Sequence, residues 1–239
     1  MNPRGEQILR GLQSVAHERA LRAADPALGA AVVALKAFQH SRFETSYADL
    51  LAHPRYGRAA RFFLDDLYGP MDFTRRDDQF ARIVPGLVRL FPADIVTTVA
   101  CLADLHALSE SLDSQMARVL GADAPDAHRY GQAWRAVGQP SQRERQIVLM
   151  LTVGTALDRY TRNPLLRHSL RLMRGPAHAA GLGVLQAFLE RGFDTFGEMR
   201  GAGEFLQTVT RRERELAAHL FAGGDVPEVT PSPPRTAPR

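Results

Sequence analysis

The sequence predicts an all-α fold: one compact bundle of about ten helices, with the body of the domain at 1–223 and a proline-rich tail at 224–239. Three observations carry that prediction. Apolar residues recur at three- and four-residue spacing almost throughout, alternating strand-like runs are missing, and helix-start signals punctuate the chain at short intervals.

The elements follow in order as 4–24, 26–52, 55–68, 74–91, 93–120, 126–137, 142–161, 164–174, 176–199 and 203–222. Asp25-Pro26 and Asn163-Pro164 each read as an N-cap followed by proline at the first helical position, where its missing N–H costs nothing. Thr74 to Asp77 and Ser141 to Glu144 have capping-box spacing. From Gly223 the chain runs GGDVPEVTPSPPRTAPR, too poor in large apolar residues to bury anything, so a disordered or polyproline-like end is expected.

Composition bounds the function. The 239 residues are 45% hydrophobic and 23% charged, as in ordinary globular proteins. The longest apolar run, LGAAVVAL, falls far short of the roughly 20 residues of a membrane span. The N-terminal stretch MNPRGEQILRGLQ lacks the apolar block of a secretory signal, so a cytoplasmic protein without membrane insertion is expected. Cys101 is the only cysteine, which excludes an intrachain disulfide and a thiolate zinc cage. Lys36 is the sole lysine among 30 basic residues, leaving 29 arginines dispersed among 26 acidic groups. A net charge of +4 spread in this way does not point to nucleic acid. No Gly-rich phosphate loop, GxSxG, HExxH or kinase-like signature is present.

Candidate sites are therefore sought among ionisable groups on apolar helix faces. On 55–68 the α-helical period puts Asp66 between Phe62 and Phe63, and Asp65 on the outer side one turn after Arg61. On 74–91, Phe80, Ile83, Val84, Leu87 and Phe91 form the inward stripe, Arg76 lies on it, and Arg75 faces out. A buried carboxylate needs a partner. The expectation is an Asp66 to Arg76 pair that either clamps the turn YGPMDF or lines a pocket.

On 93–120 the face of Ile95, Val96, Val99, Leu102 and Ala103 continues into His106, Glu110 and Asp113, all within roughly 60°. Leu105, Leu108, Leu112, Met116 and Val119 make a second apolar face. Histidine and carboxylates at such spacing resemble the ligands of di-iron bundles. The order HxxxExxD matches no standard site, and Asp158 on the neighbouring helix, with His178 and Glu190 behind it, would have to complete a centre for iron or manganese. The opposing reading pairs the three residues with arginines such as Arg143 on the inward face of 142–161. Arg167, Arg171 and Arg174 form a stripe that is either a solvated face or an anion site. Ala179, Gly183 and Ala187 recur every fourth residue, for close helix packing or for a groove admitting a flat ligand such as haem, with His168 and His178 near it. Tyr130 and Trp134 are expected to pack in the core.

The string FFLDDLYGP, DFTRRD, HALSE, GTALDR, LRLMRGPAHAAGLG and LQAFLERGF resembles an uncharacterised family of bacterial hypothetical proteins over roughly residues 55–210. That resemblance implies a bacterial, cytosolic protein and transfers no catalytic residue. The resulting expectation is a non-enzymatic or regulatory helical protein binding a protein partner or a small molecule, with a metal-dependent helical-bundle oxidase as the alternative.

Overall fold

The structure is a computed structural model that describes residues 2–67, 73–121 and 123–227. Among these the chain forms twelve α-helices and one π turn, with no strand. The helices are α1 (Pro3–Ala24), α2 (Pro26–Ser46), α3 (Ala48–Ala52), α4 (Gly57–Phe62), α5 (Thr74–Leu90), α6 (Ala93–Leu120), α7 (Ala127–Val137), α8 (Pro140–Thr161), α9 (Pro164–Leu172), α10 (Arg174–Ala179), α11 (Gly183–Glu198) and α12 (Gly203–Phe221). The π turn, Phe63–Leu67, continues directly from α4.

Both Asx-Pro caps form as expected. Asp25 ends α1 and starts α2, its Oδ1 accepting from the N–H groups of Ala27 and Leu28 at 3.1 and 3.2 Å. Asn163 Oδ1 accepts from Leu165 N at 3.0 Å. The capping boxes do not form: α5 is preceded by Phe73 and α8 by Gln139, neither with a side-chain cap bond. Gln139 instead takes φ of 59°, so the chain turns sharply from Gly138 into Pro140 and α8 begins before Ser141. Two predicted helices are broken. The segment 26–52 divides at Tyr47, and 176–199 divides at Gly181, whose φ of 71° lies in the left-handed region open to glycine.

At the centre lies α6, with α1, α2, α7 and α8 packed around it. By length and composition it is the one described helix that could cross a membrane. Its closest neighbour is α1: a Cβ placed on Gly11 would lie 3.0 Å from the Ala103 carbonyl oxygen, so glycine is what lets the two backbones approach. Apolar side chains gather in three clusters. One joins α2 to α4, α8, α11 and α12 around Tyr47, Phe63, Phe196 and Phe205. Another joins α2, α6 and α7 around Leu35, Met116, Tyr130 and Trp134, and the third joins α1, α5 and α6 around Ile8 and Val84. Val226, from the predicted unstructured tail, is buried in the second cluster, and Arg135 donates to the carbonyl of Gly224 at 2.9 Å. The rest of the predicted tail, from 228, lies outside the described residues, as does most of the YGPMDF turn.

Phe91 and Val119, expected inside, are 48% and 50% exposed. Phe91 is the residue that ends α5, and Val119 lies on the uncovered side of the last turn of α6, whose other side buries Met116 and Leu120.

Candidate functional site

Where the three clusters meet, they leave a cavity of about 230 Å³. A single water needs only ~10–15 Å³ on the same scale, so this space is large for a protein interior. Its apolar wall is built by Leu102 and Leu105 from α6, Ile147 and Met150 from α8, and Leu185 and Phe188 from α11. Its polar wall carries Lys36, Gln39 and Arg42 from α2, His106, Glu110 and Asp113 from α6, and Arg143 from α8.

Glu110, 5% exposed, is the electrostatic hub. Its Oε1 accepts from Lys36 Nζ at 2.5 Å, its Oε2 from Arg22 Nη1, and its backbone carbonyl from Arg22 Nη2 at 2.7 Å. Burial alone would raise this carboxyl; neighbouring His106, Lys36 and Arg22 overcome that and hold it well below the ordinary carboxylate range. His106 spans two acids, Nε2 lying 3.6 Å from Glu110 Oε1 and Nδ1 3.7 Å from Asp77 Oδ2. Asp77 in turn takes Arg19 at 2.6 Å and Arg76 at 3.3 Å. A continuous row of ionisable groups thus runs from Glu110 and His106, on the α6 face that the sequence singled out, to Asp77 on α5.

Asp113 differs from Glu110 one turn away. Gln39 Nε2 donates to its Oδ1 at 3.0 Å, and burial, assisted by the charge of Glu110, pushes its carboxyl up despite nearby Lys36 and Arg143. It lies deep in the molecule, and the surface it keeps is turned into the cavity. Arg143, 4% exposed, lies over the Trp134 ring at 3.8 Å and donates to Met116 Sδ at 3.0 Å and to Gln146 Oε1 at 3.4 Å. Arg42 is held charged against burial by Glu213, which also accepts from Tyr47 Oη at 2.7 Å.

The structure thus brings His106, Glu110, Asp113 and Arg143 to one cavity, but does not gather the first three as a metal centre. Among the described residues no group of three His, Cys, Asp or Glu side chains could hold a metal ion. The physical reason is that both Glu110 oxygens already face cations from α1 and α2. Asp158 stands apart from the cavity: its Oδ1 accepts from Ala202 N at 2.9 Å and its Oδ2 from Arg162 at 2.5 Å, so it anchors the start of α12. Glu190 is engaged by Arg174 and Gln186. The arginine stripe on α9 and α10 is met by carboxylates, Arg167 and Arg171 by Asp194 and Arg174 by Glu190. The small-residue stripe, read as close packing or as a groove, is interrupted by the break at Gly181, and the His178 ring lies 2.9 Å from the place a Gly183 Cβ would occupy.

Asp66 and Arg76 do meet, through a different atom. Arg76 Nη1 donates to the backbone carbonyl of Asp66 at 2.9 Å, while the Asp66 carboxylate takes Arg191 at 2.5 Å. The π turn is the cause: its wider bonding advances less per residue than an α-helix, so positions after Phe62 depart from the α-helical phase. Asp65 then meets His40 Nε2 at 3.4 Å, on α2. Arg76 is inward as predicted, its guanidinium between the rings of Phe73 at 4.1 Å and Phe188 at 4.7 Å.

Sequence reasoning did not select Arg22, Gln39, Arg42, Asp77 or Glu213 as site residues. One signal was visible for the α2 set, since Lys36, Gln39 and Phe43 share a face at helical spacing.

Fold and site together define a class: an all-helical bundle enclosing a cavity that is apolar on one side and densely charged on the other. The chain belongs to the family described as Domain of unknown function (DUF8198), whose profile matches residues 18–227. The same comparisons found no match among curated proteins and none among solved structures.

Proposed function

We propose that this protein binds a small molecule within its central cavity. The observation that carries the reading is the cavity itself, about 230 Å³ set between α2, α6, α8 and α11, with polar groups converging on one side of an apolar space. Of the two kinds of partner considered, another protein and a small molecule, an interior space favours the second. The ligand is amphipathic: an apolar body against Leu105, Ile147, Met150 and Phe188, and a polar head toward Lys36, Asp113 and Arg143. In this reading α6 is a core helix of a cytoplasmic protein rather than a membrane span, which its internal row of His106, Glu110 and Asp113 supports.

The test is calorimetric titration of the full chain with octanol, decanol and dodecanol, uncharged amphiphiles with one polar head. Saturable binding of at least one alcohol at a single site is expected. It should be lost in a Leu105→Phe, Ile147→Phe double variant that fills the cavity and retains the wild-type circular dichroism spectrum. Trp134 is the only tryptophan and lies in the cavity wall, so its emission gives a second readout of the same event. Failure of all three alcohols to bind, or equal affinity in the filled variant, would refute the reading.

A further inference from the structure

We propose that Lys36 is a covalent anchor for the ligand, capturing a carbonyl group at the polar end of an apolar molecule, an aldehyde or a ketone, as an iminium. The inference rests on the cavity being a ligand site and adds the chemical class of what enters it.

The first observation is one of composition set in place by the fold. Arginine performs every other side-chain role open to either basic residue in this molecule, including the buried ones of Arg22, Arg42, Arg76 and Arg143. The single lysine stands in the cavity wall, its side chain 19% exposed. An ion pair with Glu110 alone does not call for lysine, since Arg22 makes one to the same carboxylate. What lysine adds is an amine that can give up a proton and attack carbon, which a guanidinium does not do.

The second observation is the surrounding chemistry. Lys36 Nζ lies 2.5 Å from Glu110 Oε1, and Asp113 lies one turn further along the same helix face, close enough for Lys36 to influence its ionisation. A carboxylate in contact with the ammonium can take its proton, and a second carboxyl group can return one to a departing hydroxyl. The freed Nζ attacks the carbonyl carbon and a C–N bond forms. The C–O bond then breaks and the oxygen leaves as water with two of the three ammonium protons. One carbonyl compound and one lysine ammonium thus become one protonated imine and one water. Electrons and charge balance without oxidant or reductant. The iminium carries the same single positive charge as the ammonium, so the pairing with Glu110 survives the reaction and no uncompensated charge is created indoors.

The experiment uses the full chain, decanal and cyanoborohydride, which reduces an iminium to a stable secondary amine. Tandem mass spectrometry then locates the added decyl group. The chain has only two amines to modify, Lys36 and its own α-amino group, so the second serves as an internal reference. Labelling at Lys36 about tenfold faster than at the α-amine, suppressed by excess decanol at Lys36 alone, is the expected result for an amine beside which the cavity holds the aldehyde. If decanol binds by calorimetry but Lys36 labels no faster than the α-amine, covalent capture is overturned and the cavity reading stands. If decanol and decanal both fail to bind, the two fall together. A Lys36→Arg variant that retains the wild-type circular dichroism spectrum should lose all labelling beyond the α-amine; a second decyl addition persisting in that variant would overturn capture at Lys36.

Discussion

Replacing Glu110 by Gln gives the sharpest test of how the interior is held together. The substitution keeps shape and removes one charge, leaving Lys36 and Arg22 facing each other without their shared carboxylate. Their side chains are only 19% and 11% exposed, so water offers little replacement. Breaking a buried pair by removing one partner costs about 3–5 kcal/mol, and the lower end applies because the Gln oxygen still accepts one hydrogen bond. For a chain of this length about 3 kcal/mol corresponds to a fall of roughly 6–12 °C in melting temperature. Urea unfolding at pH 7, followed by Trp134 emission and far-ultraviolet circular dichroism, measures the loss. The pH dependence has a fixed sign. The folded Glu110 carboxyl is lowered from its ordinary 4.5, so its contribution is present above about 4.5 and is lost as the pH falls below that toward the lowered folded value. The gap between wild type and variant should therefore close in acid. Adding Lys36→Met to the same background removes one orphaned cation and should recover part of the loss. A single-variant cost under about 1 kcal/mol at pH 7 would show that the carboxylate is not what compensates these cations.

Asp113→Asn should raise the melting temperature at pH 7, because burial pushes the Asp113 carboxyl up and its charged form is the costly one; the gain should vanish below the ordinary value of 3.8, and no gain at pH 7 in scanning fluorimetry would contradict this. Gly11→Leu should cost about 3 kcal/mol or more in urea unfolding, since even a Cβ would approach Ala103 to 3.0–3.1 Å; a neutral result would mean α1 is free to move away from α6. Asp25→Ala removes the two capping bonds at the start of α2 and should cost about 1 kcal/mol by the same assay.

Legibility in the sequence followed physical locality. Asp25 and Asn163 were readable because a cap acts on backbone two or three residues away. The bounds of α6 were readable because a long helix averages its apolar period over many turns. The π turn left no such mark, and the expected pairing of the Asp66 carboxylate with Arg76 failed with it. The partners of Glu110 come from α1 and α2, 88 and 74 residues away in sequence respectively, and no spacing rule reaches that far. The face bearing His106, Glu110 and Asp113 was identifiable from period alone, whereas the cavity beside it depends on how helices from distant parts of the chain fail to fill the space between them.

The π turn at 63–67 also bears on how relatives of this chain should be aligned. A wide turn of this kind is what remains when a helix accommodates one surplus residue without unravelling. A relative lacking that residue would run straight through the segment, and its counterpart of Asp66 would sit elsewhere on the helix surface even though the letters match. Matching positions across the family therefore calls for a one-residue gap wherever this loosened turn is missing; otherwise every facing assignment downstream to the end of the segment is rotated.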